Sequence, residues 1–244
     1  GCGARIGQDR KDGGFEAGIG VSEEWRLEWE SPPKAACGPE NDVSSTCPCS
    51  GFAYGENGIL DLVRSRNGRD VETLHLTPLF GDDAPTNGGA TLERWPFEEQ
   101  DFNETDTEAL VARVHKRPTV TVIRLGDYNH DGNASEFYLQ TGTEPCGKHT
   151  GVVIGVTASN PRLHAFGSAT HPDTPLVLQE REWNALLKSS GPVEVTDWAC
   201  GDHGSDEETD ITLAAKDGVI QAQRREYECD ENGKRGKLVR EDDL

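Results

Sequence analysis

Residues Asp210 to Cys229 read DITLAAKDGVIQAQRREYEC. Asp217-Gly218 is a dipeptide suited to the positive φ angles of a two-residue type I′ turn. With those residues as the turn, Ala215 opposes Ile220 and Leu213 opposes Ala222. Ile211, Leu213, Ala215, Ile220 and Ala222 then share one face, while Thr212, Lys216, Gln221 and Gln223 point the other way. One face covers a core and the other meets water, which is the signature of an antiparallel pair.

The same signal recurs upstream. In ILDLVRSRNGRDVETLHL, residues 59–76, two β-rich segments flank Asn67-Gly68, another type I′ dipeptide. TVTVIRL (119–125), FYLQT (137–141), GVVIGVT (151–157) and RLHAF (162–166) are further strand candidates. Two segments carry helical spacing instead. TDTEALVARVHKR (105–117) places Leu110, Val111 and Val114 on one side and stops before Pro118. LQEREWNALLKSS (178–190) turns Trp183, Leu186 and Leu187 toward a core, with Gly191 as its expected end. About ten strands and two short helices predict an α+β chain, predominantly antiparallel β, built as a sandwich-like or curled sheet. No internal repeat is present, which argues against a propeller or solenoid. Residues 1–50 carry four of the seven cysteines and little periodicity beyond EWRLEWE, so they read as a Cys-rich irregular extension before a β-rich main domain at 51–244.

With 44 acidic and 24 basic residues, the formal charge is −20. That charge repels a phosphate backbone and excludes nucleic acid as an expected partner. The Arg- and Lys-containing tail from Gln223 to Arg240 is interrupted by Glu226, Glu228, Asp230 and Glu231 and reads as a solvated, charge-mixed hairpin. No apolar run approaches the roughly 20 residues that span a bilayer as a helix. The absence of methionine fits a processed chain, a removed export signal being one explanation. Gly1-Cys2 resembles the end of a bacterial lipoprotein signal, which implies a lipid anchor on Cys2. Cys37, Cys47, Cys49, Cys146, Cys200 and Cys229 are expected to form three disulfides, with Cys200–Cys229 the first choice because both flank the final hairpin. A zinc site is disfavoured: CPC at 47–49 has a single intervening residue and no His pair follows. An extracellular, periplasmic or cell-surface setting follows.

GDYNHDGNASEF, residues 126–137, is the strongest functional signal. Asp127, Asn129 and Asp131 place oxygen side chains on alternate residues, Gly132 permits a sharp turn, and the Asn133 carbonyl and Glu136 close the set. Calcium takes six to eight oxygens at about 2.3–2.6 Å in flexible geometry, so this spacing predicts a calcium loop in a strand–loop–strand setting. Ser135 is a lesser candidate, and Tyr138 stands where an EF-hand requires its bidentate Glu. GDHGSDEETD, residues 201–210, lacks the alternate spacing and reads as a solvated loop.

At these residues the loop resembles the extracellular EF-hand-like loops of excalibur domains and of FG-GAP or VCBS repeats. The excalibur pattern D-x-D-x-D-G-x-x-C-E is matched at Asp127, Asp131, Gly132 and Glu136, with Asn129 in place of an Asp and Ser135 in place of the Cys. The β flanks are more similar to the repeat families, whose loops recur, whereas this one occurs once. The resemblance implies calcium binding outside the cytoplasm and covers only these residues. Asn133-Ala134-Ser135 and Asn103-Glu104-Thr105 also read as glycosylation acceptors, and a glycan on Asn133 would crowd the ion.

The expected function is a calcium-binding structural or binding protein, with calcium as cofactor and an extracellular protein or glycan as partner. Cys146 near His149, and Cys200 beside Asp202 and His203, bring thiol and imidazole close in sequence, but no nucleophile elbow, zincin helix or phosphate loop accompanies them. No catalytic residue is assigned. The alternatives are a metal-dependent hydrolase using Asp202, His203 and His149, and a carbohydrate- or surface-binding module using exposed members of Trp25, Trp29, Trp95, Trp183 and Trp198.

Overall fold

The Asp217-Gly218 turn forms as its dipeptide requires, with φ angles of 52° and 84°. It pairs Ala215 with Ile220 and Leu213 with Ala222. The computed structural model describes residues 4–5, 14–16, 22–35, 55–81, 89–96, 98, 100–101, 107–144 and 148–244. Cys2, Cys37, Cys47, Cys49, Cys146, the Asn103 acceptor and most of the expected N-terminal extension lie outside them. The chain divides into two compact units, residues 1–124 with 138–152 and residues 125–137 with 153–244.

In chain order the elements are β1 (Ala4–Arg5), β2 (Gly14–Glu16), β3 (Ser22–Trp29), β4 (Lys34–Ala35), β5 (Gly55–Gly58), β6 (Leu60–Arg66), β7 (Arg69–His75), β8 (Ala90–Glu93), α1 (Thr107–Val114), β9 (Glu136–Glu144) and β10 (Lys148–Gly155). They continue with β11 (His164–Ala165), β12 (Leu178–Gln179), α2 (Glu180–Lys188), β13 (Val193–Trp198), β14 (Glu207–Lys216), β15 (Val219–Cys229) and β16 (Arg235–Asp243). The fold is mostly antiparallel β with two short helices, and its described strands fall into four sheets. The strand count exceeds the expected ten because two-residue strands such as β1, β4, β11 and β12 are too short to show a period in sequence.

In the first unit β3 lies between β1 and β6, and β7 closes the edge through a turn with Asn67 and Gly68 at φ 49° and 73°. Trp25, Trp29, Leu60 and Leu62 are at most 1% exposed and form its core. β3 pairs with β6 from Glu23 to Trp29, so EWRLEWE is joined to the chain beyond residue 50. Glu23 is buried on this sheet between Arg64 (2.5 Å) and Arg66 (2.9 Å). Elsewhere in the unit, buried Asp101 is met by Arg113 and by Arg117, which holds its carboxyl down at about 2. α1 ends at Val114 and tightens into i→i+3 bonds at Lys116 and Arg117, because Pro118 disfavours a helical residue before it.

In the second unit β13, β14, β15 and β16 form one sheet in sequential order. Ile211, Leu213 and Ile220 are at most 2% exposed, on the face the alternation assigns to the core. α2 begins with the Gln179 N–H donating to the Glu182 carboxylate at 2.8 Å and buries Trp183 and Leu186 completely. It ends at Lys188 and not at Gly191, because Ser189 is already extended at φ −81° and ψ 157°. Cys200 and Cys229 form a disulfide with a Cα separation of 5.6 Å, as vicinity to the hairpin predicted. Such bonds persist in oxidising compartments. Among the described residues no helix is long and apolar enough to cross a membrane.

One expected strand is absent. TVTVIRL (119–125) lies outside any ladder, and the next residue, Gly126, forms an isolated bridge to Glu136. β-branched alternation favours an extended backbone, yet a strand needs a run of paired neighbours, and among the described residues this segment's backbone makes one bond to another segment, from the Val120 N–H to the Arg94 carbonyl at 3.0 Å, and no ladder. The acidic loop is therefore entered from irregular chain and left through β9, not held between two strands.

Candidate functional site

The loop from Gly126 to Glu136 lies within the second unit. Its mouth is closed by a pair of backbone bonds between Gly126 and Glu136, at 2.7 and 3.2 Å. Inside, the short polar side chains act as local acceptors. Asp127 accepts the N–H groups of Asp131 (3.0 Å) and Gly132 (3.1 Å), one on each oxygen. Asn129 Oδ1 accepts the Asp131 N–H at 3.0 Å, and Asp131 Oδ1 accepts the Asn133 N–H at 2.8 Å. His130 and Gly132 sit at φ 53° and 92°, which lets consecutive Asx-type turns curl the chain. The alternate spacing that suits a metal thus also builds the turn itself.

Glu136 is the acid of the set that turns inward. It is 0% exposed; Oε2 accepts the Tyr128 N–H at 2.9 Å and Oε1 accepts the Ser135 hydroxyl at 2.6 Å. Burial pushes its carboxyl up to about 7; the two hydrogen bonds oppose the rise, and the charges of Asp131 and Asp127 add to it. Gly155 allows the approach, since a Cβ there would come 2.5 Å from the Ser135 carbonyl oxygen.

Contacts from distant segments fasten the loop. The N–H groups of Asp217 and Gly218, at the β14–β15 turn, donate to the carbonyls of His130 (3.3 Å) and Asn129 (3.1 Å). His130 donates its Nε2–H to the Leu186 carbonyl at 3.1 Å, and the Tyr128 ring meets Trp183 edge-on at 6.2 Å. The Ser135 hydroxyl also lies 3.0 Å from the Val156 carbonyl, which shares the hydroxyl's single proton with Glu136. Local pattern gives no sign of these partners. Ser135, a lesser candidate in sequence, is the residue that orients Glu136.

The five expected ligands therefore occupy one loop in different settings. Asn129 and Glu136 are fully buried, Asp127 and Asp131 are half-buried, and Asn133 is exposed with its amide on Asp131 at 3.0 Å. Among the described residues no group of three or more His, Cys, Asp or Glu side chains is gathered to hold a metal ion. The donors are all oxygen, which suits calcium chemically, and an oxygen that accepts one N–H keeps a second lone pair. Electrostatics distinguishes this loop from three other buried acids. Glu23, Asp101 and Asp210 are each met by an arginine, whereas no lysine or arginine among the described residues pairs with Asp127, Asp131 or Glu136.

The residues of the alternative readings fall on separate elements. His149 lies on β10 in the first unit, Asp202 on a turn of the second, and the His203 side chain is outside the described set. Trp25, Trp29 and Trp183 are core residues, and Trp95 and Trp198 are half-buried, so no exposed tryptophan cluster supports a glycan face. No family model, curated protein or solved structure matches the chain.

Proposed function

We propose that this is an exported, disulfide-stabilised calcium-binding protein of structural or binding type, whose loop 127–136 takes up one calcium ion. The carrying observation is the contrast with three other buried acids: Glu136 is shut away beside Asp127 and Asp131 with no arginine partner among the described residues, whereas Glu23, Asp101 and Asp210 each have one. A buried carboxylate among like charges is costly to ionise, and a divalent cation supplies the missing counter-charge. Asp127, Asn129, Asp131, the Asn133 carbonyl and Glu136 would hold it; the ion's contribution is structural. The loop is tied to the β14–β15 turn and to α2, so ligation there would stiffen the second unit. The Cys200–Cys229 bond supports an oxidising location.

Calorimetric titration of native protein with calcium, together with its thermal midpoint, tests the reading. An ion bound only by the folded state raises the midpoint by mass action. Absence of both heat and midpoint shift overturns it.

A further inference from the structure

We propose that the Cys200–Cys229 disulfide is a reduction-sensitive latch on the final strand, acting through Glu208 and Arg235. The connection can be followed atom by atom. The Cys200 N–H donates to Glu208 Oε2 at 3.0 Å, and Glu208 Oε1 pairs with Arg235 Nε. Arg235 Nη2 reaches Asp210 Oδ2 at 2.5 Å, and its guanidinium lies 4.5 Å over the Tyr227 ring. Asp210 is 0% exposed, with its other oxygen accepting the Thr196 hydroxyl at 2.7 Å. Arg235 begins β16 and stands opposite Cys229. One side chain from β16 thus crosses β15 to two acids on β14, and the disulfide fixes the amide that orients one of those acids.

At this end β16 is otherwise held by its ladder with β15 and by the turn before it, in which Asp230 and Lys234 exchange backbone and side-chain hydrogen bonds. Eight of its nine residues are exposed, and its ladder with β15 shifts register on both sides of Tyr227. An edge strand without apolar burial depends on its ladder and its side-chain pairs, and such elements open at low free energy. Cys200 and Cys229 are themselves half-buried, within reach of a reductant.

The step balances with a dithiol as reductant. Its two electrons cleave the S–S bond, both sulfurs leave as thiols carrying the dithiol's protons, and the dithiol becomes a disulfide. Freed from Cys229, the chain around Cys200 no longer holds its amide on Glu208; the Cys200 N–H is the main influence keeping that carboxyl below its ordinary range. Arg235 then loses its orienting partner and β16 loosens. The strand is held in an oxidising compartment and released in a reducing one.

Amide hydrogen exchange of the full chain tests the latch, comparing native protein with the Cys200→Ser/Cys229→Ser variant, which leaves every other cysteine untouched, and with dithiol-reduced protein. Protection of β16 amides is expected to fall on the order of tenfold on loss of the disulfide, while Ile211 and Leu213 on β14 keep theirs. Arg235→Gln in oxidised protein should give the same fall, and combining it with loss of the disulfide should add nothing. Should Arg235→Gln fail to fold because it unpairs Asp210, Glu208→Gln reads the same link without doing so. Unchanged β16 protection without the disulfide, falls that multiply when combined, or equal loss of protection at Ile211 and Leu213 would each overturn the proposal.

Discussion

The backbone N–H of Gly218, at the tip of the β14–β15 hairpin, donates to the carbonyl of Asn129 at 3.1 Å and fastens the acidic loop to the core sheet of its unit. Gly218 holds φ 84°, a left-handed conformation that side chains resist. Gly218→Val should therefore destabilise the second unit by about 1–2 kcal/mol. The change should appear as a lower denaturation midpoint, and calcium heat should weaken with it because the turn and the loop share these bonds.

Gly155→Ala should be more damaging than its single methyl suggests. The new Cβ would lie 2.5 Å from the Ser135 carbonyl oxygen, a backbone atom that cannot rotate away. A cost of about 1–3 kcal/mol is expected from this overpacking. Chemical denaturation measures it, and near-normal stability would show that the loop shifts freely against β10.

Stability without calcium should depend on Glu136. Its folded pKa, about 7, lies above the ordinary 4.5, so between those values the folded state binds more protons than the unfolded state. The contribution is fully present below about pH 4.5 and is lost as pH rises through about 7, with a magnitude on the order of 3 kcal/mol. Denaturation midpoints across this range should fall for the calcium-free protein. Glu136→Gln should flatten the dependence, and saturating calcium should oppose it. Ser135→Ala, by removing a hydrogen bond that lowers the Glu136 pKa, should move the loss to higher pH.

Asp127 and Asp131 should separate folding from ion binding. Asp127→Asn keeps one acceptor oxygen, replaces the other by an NH2 that cannot accept the second backbone N–H, and removes charge, whereas Asp131→Ala removes an acceptor of the Asn133 N–H and a carboxylate together. Asp131→Ala is expected to abolish calcium heat while costing under about 1.5 kcal/mol of stability, since the lost bonds are exposed. Persistence of full calcium heat in Asp131→Ala would move the ion elsewhere.

What the residues alone determined are the short-range features. Asp217-Gly218 and Asn67-Gly68 impose two-residue turns, and a fixed turn with strict alternation leaves a single register, so the facing of Leu213 and Ala222 needed no partner to specify it. Trp183 and Leu186 marked the buried side of α2 in the same way, and the nearness of two cysteines to one hairpin pointed to Cys200–Cys229. The tertiary structure alone decided which β-like segments enter a ladder: residues 119–125 are as β-like as 137–141, but only the latter pair along their length, whereas Val120 makes a single backbone bond to Arg94. It also decided that Glu136 faces inward with no arginine partner among the described residues, that Gly218 reaches Asn129, and that Arg235 crosses a strand to Asp210. Burial and long-range pairing depend on what the rest of the chain brings to a residue, and local propensity holds no record of it.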